Sequence, residues 1–208
     1  MDSPLWIYLI GFSAQFFYTG RSIIQWYLTE KKGRIESPSL FWIFSIIGSS
    51  ILFYYGWLRN DVSILLGEYL SYYIYIWNLR AKGLYERVHK FIPIVQALIP
   101  IAFIPVVISG WGSFAADFLH NNMIPLWLIL LGIAGQIVYK TRFIVQWLYC
   151  FKRGESLLPL LFWYFAMVGG LLIITYGIIR HDWVLVIGQV GIIPTIRNIM
   201  IGLRKKGD

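Results

Sequence analysis

The chain repeats itself, and the repeat limits what it can fold into. Residues 15–55 read QFFYTGRSIIQWYLTEKKGRIESPSLFWIFSIIGSSILFYY, and residues 136–176 return the same order of landmarks at a constant offset of 121. Gln15 matches Gln136, Tyr18 matches Tyr139, Arg21 matches Arg142, and Gln25-Trp26 matches Gln146-Trp147. Gly33, Pro38, Phe41-Trp42, Gly48 and Tyr55 match Gly154, Pro159, Phe162-Trp163, Gly169 and Tyr176. Whatever unit the first copy builds, the second builds again. Each copy also places an arginine inside a long apolar segment, so that charge has to be explained twice.

Composition identifies the solvent. The chain is 58% hydrophobic and 13% charged, where a soluble domain carries roughly 25% charged residues, so an integral membrane protein is expected. Seven segments approach the roughly 20 apolar residues that a span needs: 4–28, 39–58, 62–79, 91–110, 124–149, 159–179 and 183–203. Pro4, Pro38, Pro125 and Pro159 stand at or near four of the starts, where a missing N–H is harmless. The first segment lacks a basic leader and a small-residue cleavage site, so it is expected to stay as a span rather than be removed. The net charge of +8 is read as loop charge that sets topology, not as a nucleic-acid surface. Cys150 is the single cysteine, which excludes a disulfide framework and a cysteine metal site. No cofactor is called for.

Twelve Lys and Arg residues fall on one side of the seven segments and only Arg59 and Arg180 on the other. The positive-inside rule then puts the N-terminus outside and the C-terminus in the cytoplasm. The fold expected is an all-α membrane protein, with seven transmembrane helices as 3+1+3 parallel repeats. Its parts are a first three-helix repeat over 1–82, a linker helix and loops over 83–122, and a second repeat over 123–208. The linker carries Pro93, Pro100 and Pro105 and is expected to kink. Short outer links, 59–61 and 180–182, join helices 2 to 3 and 6 to 7, with Asp61 and Asp182 as caps of the helices that follow.

The polar residues of the repeat form a stripe. At about 100° per residue, Gln15, Tyr18, Arg21 and Gln25 share one helix face, as do Gln136, Tyr139, Arg142 and Gln146. Arg21, Lys140, Arg142 and Arg197 all fall in the inner half of the bundle, Arg197 just beyond a helix break expected at Pro194. Glu68, the one acid within a span, falls in the outer half. Each arginine alone could snorkel to the interface. As a set they lack carboxylates at their own depth, and a buried charge needs compensation. Water or an anionic ligand would supply it, and the planar arginine fork suits a phosphate. The candidate substrate or phosphate-binding residues are therefore Arg21, Arg142, Lys140, Arg197, Gln25 and Gln146. The polar lining is expected from Gln15, Gln136, Tyr18, Tyr139, Asn78, Asn198, Glu68 and Gln189. Glu68 reads either as a hydrogen-bonded packing residue or as a proton-coupling or sugar-binding group.

Ser45, Gly48, Ser49 and Gly56, with Ala166, Gly169, Gly170 and Gly177 in the second copy, read as small residues for close helix packing. Trp42 and Trp163 read as interface-belt residues. His89, His120 and His181 have no catalytic spacing, and no G-x-S-x-G, phosphate loop or paired carboxylate is present. The residues by themselves argue for no enzyme.

The ordered string Arg21, Gln25-Trp26, Pro38, Phe41-Trp42, Gly48, Tyr55, Asp61, Gly67-Glu68 and Asn78 resembles the lipid-A biosynthesis N-terminal domain family. So does its repeat at Arg142, Gln146-Trp147, Pro159, Phe162-Trp163, Gly169, Tyr176, Asp182, Gly188-Gln189 and Asn198. That family is distantly similar to the PQ-loop and SWEET superfamily. The superfamily's proline-glutamine pair is replaced by Ala14-Gln15 and Gly135-Gln136, and Trp77 stands where the second copy has Arg197. The resemblance implies a multi-pass protein of a bacterial inner membrane, engaged in envelope biogenesis. The function expected is a flippase for an undecaprenyl-phosphate-linked sugar used in lipid A modification. The alternatives are a SWEET-like uniporter of a soluble metabolite and a non-transporting membrane subunit of a glycosyltransferase system. Expected partners are an anionic membrane lipid and, in the last case, a glycosyltransferase, with no nucleic acid.

Overall fold

A computed structural model describes residues 4–58, 62–87, 89–102, 104–105, 108–109, 112, 125–179, 186 and 188–207. Within them the chain is all-helical, with no strand. The helices are α1 (Leu5–Lys32), α2 (Ser39–Leu58), α3 (Val62–Ala81), α4 (Phe91–Ala102), α5 (Leu126–Phe151), α6 (Leu160–Ile179) and α7 (Ile192–Gly207), with a 3₁₀ turn at Leu84–Arg87. Three of them, α2, α5 and α6, are long and apolar enough to cross a membrane. The links 59–61 and 180–182, with Asp61 and Asp182, lie outside the described residues, as do His120 and the start of the expected seventh span.

The helix ends follow from local chemistry. Gly33 and Gly154 both have positive φ, 62° and 67°, the left-handed conformation that closes a helix C-terminus and that glycine adopts without a Cβ clash. Lys31 and Lys32 lie in the last turn of α1, where positive charge meets the negative end of the helix dipole. Pro38 and Pro159 directly precede α2 and α6. The break expected at Pro194 is displaced. Turns occupy 188–191, with Ile192 N–H bonded to Gln189 O at 2.9 Å, and α7 starts at Ile192. Pro194 therefore sits in a first helical turn, where proline is tolerated.

Two compact units emerge. One comprises Met1–Arg21 and Ser39–Asn121, the other Ser22–Pro38 and Asn122–Asp208. The chain-order boundaries 1–82, 83–122 and 123–208 divide it differently, because α1 is shared. Its residues up to Arg21 belong to the first unit, and from Ser22 onward to the second.

Within each unit glycines set the helix spacing, as the small-residue pattern anticipates. A Cβ on Gly11 would lie 3.0 Å from the Tyr55 ring, and one on Gly132 would lie 2.9 Å from the Tyr176 ring. The tyrosine that ends each repeated stretch thus packs on a glycine of the preceding helix. About two turns further in, a Cβ on Gly48 would meet the Tyr18 ring at 3.1 Å. The second copy is tighter, since a Cβ on Gly169 would meet the backbone N of Tyr139 at 2.5 Å and its Cα at 2.6 Å. A ring can turn aside, whereas helix backbone cannot. We predict that Gly169→Ala forces α5 and α6 apart and costs about 1–3 kcal/mol, while Gly48→Ala costs clearly less. Thermal unfolding of the detergent-solubilised variants checks this, and equal losses would contradict the close-approach account.

Candidate functional site

In the first unit Arg21 is 7% exposed. Its Nη1 donates to Ser45 Oγ at 2.7 Å and to Tyr75 OH at 3.4 Å. Its Cζ lies 4.5 Å from the centre of the Tyr18 ring, 5.1 Å from Phe41 and 5.8 Å from Tyr75. Each such contact is worth on the order of 0.5–2 kcal/mol to a desolvated cation. Tyr18 donates its hydroxyl to Glu68 Oε2 at 2.6 Å, and Ser49 donates to the same oxygen at 2.9 Å. The first cage therefore holds a cation and a carboxylate joined through one tyrosine. This corrects the reading of Glu68 as too far along the helix to matter to Arg21. A tyrosine side chain is long enough to bridge the turn that separates them.

The second unit builds the same aromatic enclosure with different polar contents. Arg142, also 7% exposed, has its Cζ 3.7 Å from the centre of the Tyr139 ring, 4.7 Å from Phe143 and 5.2 Å from Phe162. Ser45 and Ser49 become Ala166 and Gly170. Glu68 becomes Gln189, whose Oε1 lies 3.5 Å from where a Gly170 Cβ would be. Tyr75 becomes Thr195, counted from the asparagines. Asn78 and Asn198 each donate to the carbonyl four residues back, Ile74 at 2.8 Å and Pro194 at 2.6 Å. Thr195 spends its hydroxyl hydrogen on Gly191 O at 2.8 Å.

Trp42 and Trp163 are not belt residues. They are 0% and 4% exposed, stacked edge-on against Phe41 and Phe162 with ring centres 4.9 Å apart in both copies. Their length along the helix places them at an interface, but the aromatic cage draws them inward. Trp163 Nε1 is buried and has no hydrogen-bond acceptor.

Gln25 and Gln146, both fully buried, close the loops rather than line a cavity. Gln25 Nε2 donates to Thr29 Oγ1 at 2.8 Å and to the carbonyl of Glu36 at 3.2 Å, while Glu36 N–H donates to Thr29 Oγ1 at 3.1 Å. The second copy substitutes sulfur for oxygen. Gln146 Nε2 donates to Cys150 Sγ at 3.4 Å and to the carbonyl of Leu157 at 2.9 Å, and Leu157 N–H donates to Cys150 Sγ at 3.3 Å. Gln25 also exchanges two hydrogen bonds with Asn198, at 2.8 and 3.0 Å. Buried amide donors are costly to leave unmade, and this pairing ties the end of α1 to α7. Asn78 and Asn198 are likewise 0% exposed. Gln15, Tyr18, Tyr139, Lys140 and Gln189 are half-buried, and Gln136 is exposed.

Arg197 is not a cation without a carboxylate. Its Nε and Nη2 both bond Glu30, the latter at 2.9 Å. Glu30 lies at the end of α1, beyond the expected span, and sequence spacing between 30 and 197 carries no signal of the pairing. The hydrogen bond from Arg197 outweighs desolvation and holds the Glu30 carboxyl below its ordinary range. Partial burial pushes the Glu36 carboxyl up, but hydrogen bonds from Lys32 and Arg34 bring it down on balance. A depressed carboxyl stabilises the fold above its unfolded value, near 4.5, and that support is lost as pH falls through the folded value. We predict that the difference in unfolding midpoint between wild type and Glu30→Gln is present at pH 7 and closes as pH falls below about 4. A difference unchanged down to pH 2 would contradict the pairing.

Two buried arginines, each among aromatic rings on apolar helices, define a tandem-repeat helical protein compatible with a membrane. The model of the family described as lipid A biosynthesis N-terminal domain matches it twice, over residues 10–80 and 131–200. The chain belongs to the lipid A biosynthesis N-terminal domain family. It is similar to proteins named lipid-A-disaccharide synthase: 27% identical over 94% of this chain for Chlamydia pneumoniae and 28% over 97% for Chlamydia trachomatis serovar D. The chain spans 33% and 35% of those two relatives' lengths. No solved structure matches. The names overturn two expectations. The relatives are called synthases, which are glycosyltransferases, so the flippase or transporter reading is not supported, nor is the expectation that no enzyme is involved. A charge buried in an apolar helix is as compatible with a membrane module of an enzyme as with a carrier.

Proposed function

We propose that this chain is the membrane-embedded module of a lipid A glycosyltransferase system, acting with a catalytic glycosyltransferase as its domain or subunit. The observation that carries this reading is the alignment of nearly the whole chain with about a third of proteins named lipid-A-disaccharide synthase. The module crosses a bacterial inner membrane seven times, with its N-terminus outside and its basic loops in the cytoplasm, as a SWEET-like 3+1+3 arrangement of parallel repeats. Two features support this: the charge count of the loops and the doubled helical unit. Its basic cytoplasmic loops meet the enzyme.

The test is deletion of the chain in its bacterial host, with lipid extracts followed by mass spectrometry. The expected result is an excess of the acylated monosaccharide precursor and a loss of the disaccharide. Restoration by the wild-type chain should bring the disaccharide back. Unchanged disaccharide in the deletion strain would sink the reading.

A further inference from the structure

Three segments far apart in sequence meet at one end of the second unit. Gln25 and Asn198 exchange two hydrogen bonds there, and Arg197 pairs with Glu30. The hydroxyl oxygens of Ser37 and Ser156 lie 3.4 Å apart. A Cβ on Gly202 would lie 2.8 Å from Leu160 and 2.9 Å from Ile35. The loop after α1, the loop after α5 and the end of α7 are thereby held together. Segments 29–38, 152–158 and 197–204 carry seven lysines and arginines against three glutamates. Glu30 is engaged by Arg197, and Glu36 by Lys32 and Arg34. Folding therefore gathers an excess of positive charge at this end that no one segment holds alone.

The surroundings of these cations identify the partner. Lys31, Lys152 and Arg204 are exposed, and each has an exposed apolar residue four positions before it: Tyr27, Leu148 and Met200. Residues four apart share a helix face, so α1, α5 and α7 each pass from an apolar surface to a cation at this end. The length of α5 agrees. Its 26 residues rise about 39 Å against a hydrocarbon core of about 30 Å, which brings its last turn to the headgroups. Arg153 Nη1 donates to Tyr149 OH, and its Cζ lies 4.1 Å from the centre of that ring, a side chain suited to the membrane interface. An acidic protein surface would be met by the cations alone. Apolar side chains in register with them call for a partner that is hydrocarbon at one level and anionic at the next, which is an anionic lipid.

We propose that this end of the second unit is a rim that binds anionic lipids, taking their headgroup phosphates at Lys31, Lys152 and Arg204 while acyl chains lie along Tyr27, Leu148 and Met200. The proposal goes beyond the role given above, since loops that meet an enzyme also border the lipid headgroups. It rests on the reading of the chain as membrane-embedded but needs no glycosyltransferase. A failure here would leave the deletion result standing, and the reverse.

The full chain is purified in detergent and titrated with dioleoyl phosphatidylglycerol or dioleoyl phosphatidylcholine, and bound lipid is counted by native mass spectrometry. The wild type is expected to bind the anionic lipid at least about fivefold more tightly. The triple variant Lys31→Gln, Lys152→Gln, Arg204→Gln removes one cation from each segment. It is expected to weaken phosphatidylglycerol binding by about tenfold or more and to leave phosphatidylcholine binding unchanged. A second triple variant, Arg80→Gln, Arg87→Gln, Lys90→Gln, removes the same charge from the first unit and is expected to keep phosphatidylglycerol binding within about threefold. Should the first triple variant fail to fold, Lys152→Gln and Arg204→Gln are read singly, each with an expected loss of about threefold to fivefold. Equal binding of the two lipids by the wild type would leave the cations to an acidic protein and overturn the proposal. So would unchanged phosphatidylglycerol binding in the variants of the second unit, or an equal loss in the variant of the first.

Discussion

A guanidinium inside an apolar helix has to be enclosed, and the repeated unit is organised around that enclosure. Each arginine lies one turn after a tyrosine on the same helix, and that ring covers it at 4.5 Å in one copy and 3.7 Å in the other. The ring can stay there only because the neighbouring helix offers a glycine, Gly48 or Gly169, opposite the tyrosine. The same approach delivers Phe41 or Phe162 to the arginine and buries the tryptophan beside it. The motif residues Tyr, Arg, Phe-Trp and Gly are therefore parts of one contact, and a Cβ at the glycine disturbs them all.

Around this shared enclosure the copies have diverged. The first closes its electrostatics internally, with serine and tyrosine hydroxyls on Arg21 and a carboxylate one tyrosine away. The second gives up the hydroxyl at Ala166 and the charge at Gln189, and leaves an indole N–H without an acceptor. Elsewhere the copies agree closely. Gln25 and Gln146 make the same loop closure, with Thr29 replaced by Cys150.

Much of this was legible in the sequence, and the reasons for the rest are physical. The constant offset identified the doubled unit, and apolar length identified helices in the described residues. Buried charge singled out Arg21 and Arg142. Small residues marked the crossings at Gly48 and Gly169. What helical periodicity could not tell was distance between helices. It placed Gln25 on the stripe of Arg21, yet the chain turns back after Gly33 and occupies that amide with the loop. It graded Glu68 by depth along its own helix, although the length of Tyr18 bridges the gap. It assigned Trp42 and Trp163 to an interface by position, while a neighbouring phenylalanine holds both inside. The pairing of Glu30 with Arg197 joins residues far apart in the chain, and no local pattern announces it. The activity was misread for a related reason: buried cations state that an anion can be held, not what is done with it.

The central claim, that each arginine is held against the ring of the tyrosine one turn before it, can be measured directly at the guanidinium groups. The full chain, carrying ¹⁵N-labelled arginine and ring-¹³C-labelled tyrosine, is reconstituted in membranes, and nitrogen-to-carbon dipolar couplings are recorded by solid-state NMR. The guanidinium carbon lies 4.5 Å from the ring centre of Tyr18 in one copy and 3.7 Å from that of Tyr139 in the other. The prediction is close contacts of which one set is lost in Tyr18→Leu and another in Tyr139→Leu. Contacts unchanged in both variants, or none at all, would contradict it.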